Sequence, residues 1–408
     1  MKRRVVITGM GIWSCLGQDL ETVSENLRKG HSGIVSDASR LQAGFRCSLV
    51  GNIPEPQLRP FLTKAQRLTM SKDVQYTYMA TRQAFEDARI DEQYLKDQEV
   101  GVIVGNDGSM DGAVEAIRAM DAYGDPIMVG PGCYFRWATS SPTMNLSSLF
   151  HLKGVSFTTG AACASGIHAI GVASLYIRSG LQDTMLVGGC ADPSFHSTIP
   201  GEALFIFSNS NQNPQAASRP FDAKRDGMVP SGGAAMLVLE EYNHAVERGA
   251  RIYAEVLGYG ASTNGLDNIS APDADGEYRA MRHSIEDAGI ALDEIDYINA
   301  HATSTVAGDI AEVNAIRRLI EGRRIPISAT KSMTGHENWM TGASETIYSL
   351  LMMRDGFVAP TINLEQIMPE ADGLFLPTTA LEKKLEIVMK NSFGLGGTNG
   401  CIVLKKIN

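Results

Sequence analysis

The stretch "GVSFTTGAACASGIHAIGVASLYIRSG" (154–180) decides how this chain folds. Its first six residues read as a short, β-branched and aromatic strand. The small residues 160–166 make a turn. Ile167, Ile170, Leu175 and Ile177 then recur at mixed spacings of three and four, the mark of a helix with one apolar side. A strand feeding directly into a helix is the unit of an α/β protein, because the helix carries the chain back for a parallel neighbour. Cys163 lies at that turn, near the first turn of the helix. Helix N–H groups and the helix dipole favour a thiolate there. A free cysteine is also often just a small buried hydrophobe, so position alone leaves both readings open.

The same alternation runs outward. Strands are expected at "RVVITG", "EVGVIVGN", "DTMLVGG" and "AAMLVLE", with a helix at "YTYMATRQAFEDARI". After a helical "EEYNHAVERGAR" the pattern restarts with "IYAEVLGYG", the helix "YRAMRHSIEDAGI", the strand "IDYINA", the helix "GDIAEVNAIRRLIE", and the strands "EIVMKNSFG" and "GCIVLKKI". The expectation is a parallel sheet with crossover helices. The phrases "AFEDARI…VGVIVGN" and "SIEDAGI…IDYINAH" share a layout, which suggests a duplication with its seam near residue 250. The halves are then 1–250, holding Cys163, and 251–408. No Pro-, Ser- or charge-rich linker separates them.

Composition narrows the classes. The chain has 408 residues, 44% apolar and 20% charged, with a net charge of −10, which argues against a nucleic-acid or membrane-surface role. No apolar run is long enough to span a bilayer. Six scattered cysteines without a CxxC pair form neither a disulfide framework nor a zinc ribbon, so a cytoplasmic protein with reduced thiols is expected.

Two histidines follow strands in the second half. His301 opens "HATSTVAGD", with hydroxyls at Thr303, Ser304 and Thr305. His336 ends "ATKSMTGH", with Lys331 five residues before it and Glu345 nine after. Strand ends are where α/β proteins build sites, and two such histidines are hard to dismiss as surface groups. The other six histidines lack this setting and read as structural. "NSFGLGGTNG" (391–400) packs four glycines into ten residues. Such a loop can offer N–H groups to an oxyanion, cradle a phosphate, or simply turn tightly. "TGMGIWSCLG" lacks the third glycine of a dinucleotide fingerprint, and cofactor binding there is set aside.

Taken together, these segments resemble the β-ketoacyl-acyl-carrier-protein synthases of the thiolase-fold condensing enzymes, in particular their elongating bacterial type. The match runs nearly end to end: "RRVVITGMGIWSCLG", "TTGAACASG", "RPFDAKRDGMV" around Arg225 and Asp226, "HATSTVAGD", "ATKSMTGH" and "NSFGLGGTNG", in the family's order. The resemblance implies a duplicated five-layer αβαβα fold. It implies a catalytic set of Cys163, His301 and His336, with Lys331 and Glu345 tuning the histidines and holding the loop. Thr303 and Thr305 match hydroxyls that hold the phosphopantetheine arm. Phe393 and Leu395 face the substrate, and the backbone N–H groups of Cys163 and Leu395 form an oxyanion hole. The implied reaction is decarboxylative condensation of a cysteine-bound acyl group with malonyl-acyl-carrier protein in fatty-acid elongation, without metal or cofactor. Acyl- and malonyl-loaded carrier protein are the implied partners. A homodimer, or a heterodimer, is implied, with the strand before Cys163 at the interface.

The sequence departs from the family in places. Trp339 and Met340 stand where small residues usually follow the second histidine, so the local backbone or cavity must differ. Leu395 replaces a gating aromatic, and Ala302 and Val306 replace a common Gly and Pro. These changes leave open a specialised ketosynthase extending polyene, aryl-primed or polyketide chains. A non-catalytic chain-length-factor-like subunit is the reading of another class, against which Cys163 stands. A thiolase would need a second active cysteine; Cys401 heads an apolar strand and reads as core.

Overall fold

The computed structural model describes residues 3–407. In chain order the elements that matter are β1 (Val5–Trp13), α1 (Lys72–Ala88), β2 (Val100–Gly105), β3 (Ser156–Thr159), α2 (Ser165–Arg178), β4 (Thr184–Ala191), β5 (Gly233–Glu241), β6 (Ala254–Thr263), α3 (Ala274–Ala288), β7 (Tyr297–Asn299), α4 (Val306–Ile320), β8 (Ile327–Ser328), α5 (Thr341–Asp355), β9 (Ile387–Gly394) and β10 (Thr398–Lys406). The ten strands join in the order β8-β7-β9-β10-β6-β1-β5-β4-β2-β3.

That order is a palindrome of two equivalent halves. In each, the first strand pairs antiparallel with the last, the last antiparallel with the penultimate, and the penultimate parallel with the second, which pairs parallel with the third. The halves meet edge to edge where β1 pairs with β6, Val6 opposite Glu255 and Ile7 opposite Ala254. The fold is therefore the duplicated thiolase-like αβαβα body, with one correction to the sequence expectation. The sheet is mixed, not parallel. The last two strands of the second half are joined by a tight Gly-rich turn, and a short connection can only join antiparallel neighbours.

Glycines repeat the duplication at finer scale. A Cβ on Gly9 or Gly11 of β1 would fall 2.4 or 2.0 Å from the carbonyls of Ala84 and Ala80 in α1. A Cβ on Gly258 or Gly260 of β6 would fall 2.1 Å from the carbonyls of Ser284 and Ala280 in α3. These glycines let a helix backbone lie directly on its strand. The "TGMGIW" glycines thus serve packing.

α2 and α5 form the middle layer. α2 touches β2 and β4 of the first half and β10 of the second, and α5 touches β5 and β9. Covered on both sides, α5 is buried from Thr341 to Met353, polar residues included. The two helices approach backbone to backbone at their first turns: a Cβ on Gly342 would lie 2.2 Å from the Ile167 nitrogen. No side chain separates them, so the loops preceding both helices converge on one point.

Candidate active site

Cys163, His301 and His336 meet at that point. Cys163 sits in a single 3₁₀ turn, Ala162–Ala164, that precedes α2. The turn is forced: Ala162 adopts φ +47°, uncommon for a residue with a Cβ, and its N–H donates to Asp107 Oδ2 at 2.8 Å. His336 reaches the sulfur from the loop before α5, with Nε2 3.0 Å from Sγ. His301 follows β7, its ring 5.4 Å from that of His336 and inclined at 84°. Their nitrogens and Sγ all lie within 4.8 Å of one another.

The hydrogen bonds assign the His336 tautomer. The Asn338 backbone N–H donates to His336 Nδ1 at 3.0 Å, and the Thr341 hydroxyl lies 3.2 Å from the same atom. Nδ1 is thus an acceptor, so the ring proton is on Nε2, aimed at the sulfur. Burial holds both histidines well below their usual range, reinforced by the charge of Lys331. Two neutral imidazoles therefore flank the thiol. Burial also pushes the Cys163 thiol up; the Leu395 backbone N–H beside it pulls the other way and loses. The helix terminus favours a thiolate, but burial outweighs it here.

A cavity of about 520 Å³ opens onto the trio and is lined also by Thr303, Thr305, Phe393, Leu395 and Trp339. The two threonine hydroxyls are 2.9 Å apart. Arg225 fastens their loop, donating to the carbonyls of Thr305 at 3.2 Å and Val306 at 2.9 Å. Phe393 is buried against the His301 ring, and Leu395 is half-exposed at the glycine turn. The turn holding Trp339 and Met340 rests its backbone on Gly166 and Gly189, and Met340 is fully buried.

Lys331 and Glu345 are not among the cavity-lining residues. They form a buried pair behind the wall, Lys331 Nζ donating to both Glu345 oxygens at 2.9 and 2.8 Å. Sequence reasoning missed two further members of this wall. Lys390, fully buried at the end of the "EIVMK" run, places Nζ 2.8 Å from Glu345 Oε2. Glu312 on α4 accepts the backbone N–H groups of His301 at 2.8 Å and Ala302 at 2.6 Å, fixing the His301 loop. Neither carries a local signal, since each looks like an ordinary charged residue of a strand end or helix. Two expected bystanders are structural: Cys401 is fully buried, and the His168 ring bonds the Tyr259 hydroxyl at 2.6 Å.

A cysteine flanked by two neutral imidazoles, with a backbone N–H beside the sulfur and a cavity edged by hydroxyls, is a constellation for acyl transfer and oxyanion stabilisation. Comparison with known proteins agrees. Residues 2–245 match the family model described as "Beta-ketoacyl synthase, N-terminal domain" and residues 253–365 match "Beta-ketoacyl synthase, C-terminal domain". The chain belongs to the β-ketoacyl synthase family. Among relatives, 3-oxoacyl-[acyl-carrier-protein] synthase 1 of Escherichia coli K12 is 38% identical, covering 99% of each chain. A β-ketoacyl synthase crystal structure from Burkholderia phymatum superposes with a TM-score of 0.94 at 34% identity, covering all of both chains. A third relative in the family, 28% identical with a TM-score of 0.88 and full coverage of both chains, is a type II polyketide ketosynthase solved with its acyl-carrier protein and bound to the hexaketide. The family's chemistry, condensing acyl transfer, is what the trio offers.

Proposed function

We propose that this chain is a β-ketoacyl-acyl-carrier-protein synthase of fatty-acid elongation, with Cys163 as nucleophile and His301 and His336 as paired oxyanion donors. The observation that carries the assignment is the His336 Nε2–H directed at Cys163 Sγ from a ring whose Nδ1 is occupied as an acceptor. In the first half-reaction Sγ loses its proton and attacks the acyl thioester of the carrier protein. The new S–acyl bond forms, and the pantetheine thiolate leaves and takes a proton. The Cys163 and Leu395 N–H groups receive the tetrahedral oxyanion. In the second, the malonyl C–CO₂ bond breaks, and carbon dioxide departs. The enolate oxygen rests on the two imidazole N–H groups. Its carbon then attacks the acyl carbonyl, and Sγ leaves and recovers a proton. Thr303 and Thr305 hold the pantetheine arm that delivers both thioesters, while Phe393 and Leu395 line the acyl path. Lys331 and Glu345 act from behind as positioning residues.

The reading extends to organisation. The chain comprises two halves, 1–250 and 251–408, the first supplying the cysteine and the second the histidines and glycine loop. A homodimer is supported by β3, which among the described residues pairs with β2 alone and leaves its other edge open. Exposed Ile117, Tyr123, Ile127, Tyr134 and Trp137 add an apolar surface. A cytoplasmic site of action rests on six unpaired cysteines. Intact mass after incubation with acyl-acyl-carrier protein tests the assignment: wild type gains the acyl mass and Cys163→Ala does not. No adduct on wild type from short or long donors would sink it.

A further inference from the structure

Lys390 is the feature of this site that the mechanism leaves unused. It has no exposed surface, and it lies on β9 immediately before the glycine-rich segment. Its Nζ reaches Glu345 Oε2 at 2.8 Å and donates to the Asn391 carbonyl. Lys331 binds the same carboxylate through both oxygens. Two ammonium groups thus share one carboxylate in a dry interior. Burying a charge is expensive, and replacing such a group by an apolar side chain of similar length is often neutral or stabilising. Stability therefore gives no reason for the second lysine.

The charges of both lysines bear on the imidazoles. The charged and titratable groups packed around them are Lys331 from the 331–334 turn, Lys390 from β9, Glu345 from α5, Glu312 from α4 and Cys163 itself, with Asp107 and, from α3, Glu277 lining the same cavity. Glu312 spends its oxygens on two backbone N–H groups and the Asn391 amide, which donates at 3.1 Å. Glu337, next in sequence to His336, is turned away onto Ser344 at 2.5 Å and Tyr348 at 2.9 Å. Glu345 is the carboxylate in direct contact with both ammonium groups, and Glu312 acts on them from farther off.

We propose that Lys390 is a positioning residue of the condensation: anchored on Glu345 and the Asn391 carbonyl, its ammonium ties the wall behind the histidines to the root of the oxyanion loop and keeps a second positive charge in that wall. That charge disfavours a second proton on either ring. A doubly protonated His336 could no longer accept from Asn338 at Nδ1 and would lose the geometry that aims Nε2. The depression of both histidines by the two lysines, secondary to burial, runs in the same direction. The inference rests on the proposed synthase reading.

The test uses the full chain as wild type, Lys390→Met and Lys390→Gln. Four quantities are read: melting temperature, acyl adduct on Cys163, decarboxylation of malonyl-acyl-carrier protein, and the pH profile of that decarboxylation. Lys390→Met should melt at or above wild type and still form the adduct. Its decarboxylation kcat should fall by about tenfold with little change in KM, as for lost transition-state stabilisation. The acid limb should move to higher pH, since the rings protonate more readily without the charge. Lys390→Gln keeps a donor for the Asn391 carbonyl and lacks the charge, so it should show the same limb shift. A wild-type rate and limb in either variant would overturn the proposal. So would failure of both variants to fold, which would make Lys390 a folding residue. If wild type itself neither acylates nor decarboxylates, the synthase reading fails instead.

Discussion

Glu345→Gln tests the buried wall most directly. Glu345 is fully buried and accepts from the Thr330 hydroxyl at 2.8 Å, from Lys331 at 2.9 and 2.8 Å and from Lys390 at 2.8 Å. Glutamine keeps the shape, removes the charge and turns an N–H₂ group toward two ammonium groups. Removing one partner of a buried ion pair costs about 3–5 kcal/mol because the other charge stays uncompensated. Here two charges lose their counter-ion, so about 4 kcal/mol is a conservative figure. At about 2.1 cal/mol/K of unfolding entropy per residue, a 408-residue chain should then melt about 5 °C lower. The sign with pH is also fixed. Burial already holds the Lys390 ammonium below the usual lysine range, and without Glu345 it falls further. A group whose folded-state pKa is depressed gives stability above its unfolded value, near 10.4 for lysine, and loses it as pH falls. The variant should therefore gain on wild type as pH rises toward about 10. Adding Lys390→Met should recover part of the loss at pH 7, since one unpaired charge disappears. Thermal melts from pH 6 to 10 check all three. Equal midpoints at pH 7 with no relative slope would refute the charge argument.

Two further outcomes follow from the same physics. Because burial raises the Cys163 thiol, alkylation by iodoacetamide should keep climbing with pH beyond the ordinary thiol range of about 8.5; a plateau reached by neutral pH would mean a resting thiolate. Glu337, pushed up to about 8 by burial, takes up protons more tightly when folded, so its contribution is full below its ordinary value and is lost as pH climbs to about 8. Glu337→Gln should remove that loss and stabilise the chain at pH 7 by about 3 kcal/mol, at 1.36 kcal/mol per unit, in urea melts, with no gain at pH 4.

The sequence by itself determined the elements, because they depend on local pattern. "VSFTTG", "DTMLVGG" and "AAMLVLE" are strands, and α2 follows the turn at Cys163, as the apolar spacings require. The order of motifs was enough to show the family and to single out Cys163, His301 and His336. Chain-local reasoning stopped at properties that several distant segments create together. Strand direction was one: the pattern of short strands cannot distinguish a crossover from a return, and the sheet proved mixed. The thiol was another, since a helix terminus is visible in sequence whereas the burial that outweighs it arises only when distant segments, the His336 loop among them, pack around the sulfur. The wall was the third. Lys390 reads as a strand-end charge and Glu312 as part of a helix's polar face. Only the packing of β9, α4 and α5 buries them against Glu345 and the His301 loop, where a charge has no water to turn to and must act on its neighbours.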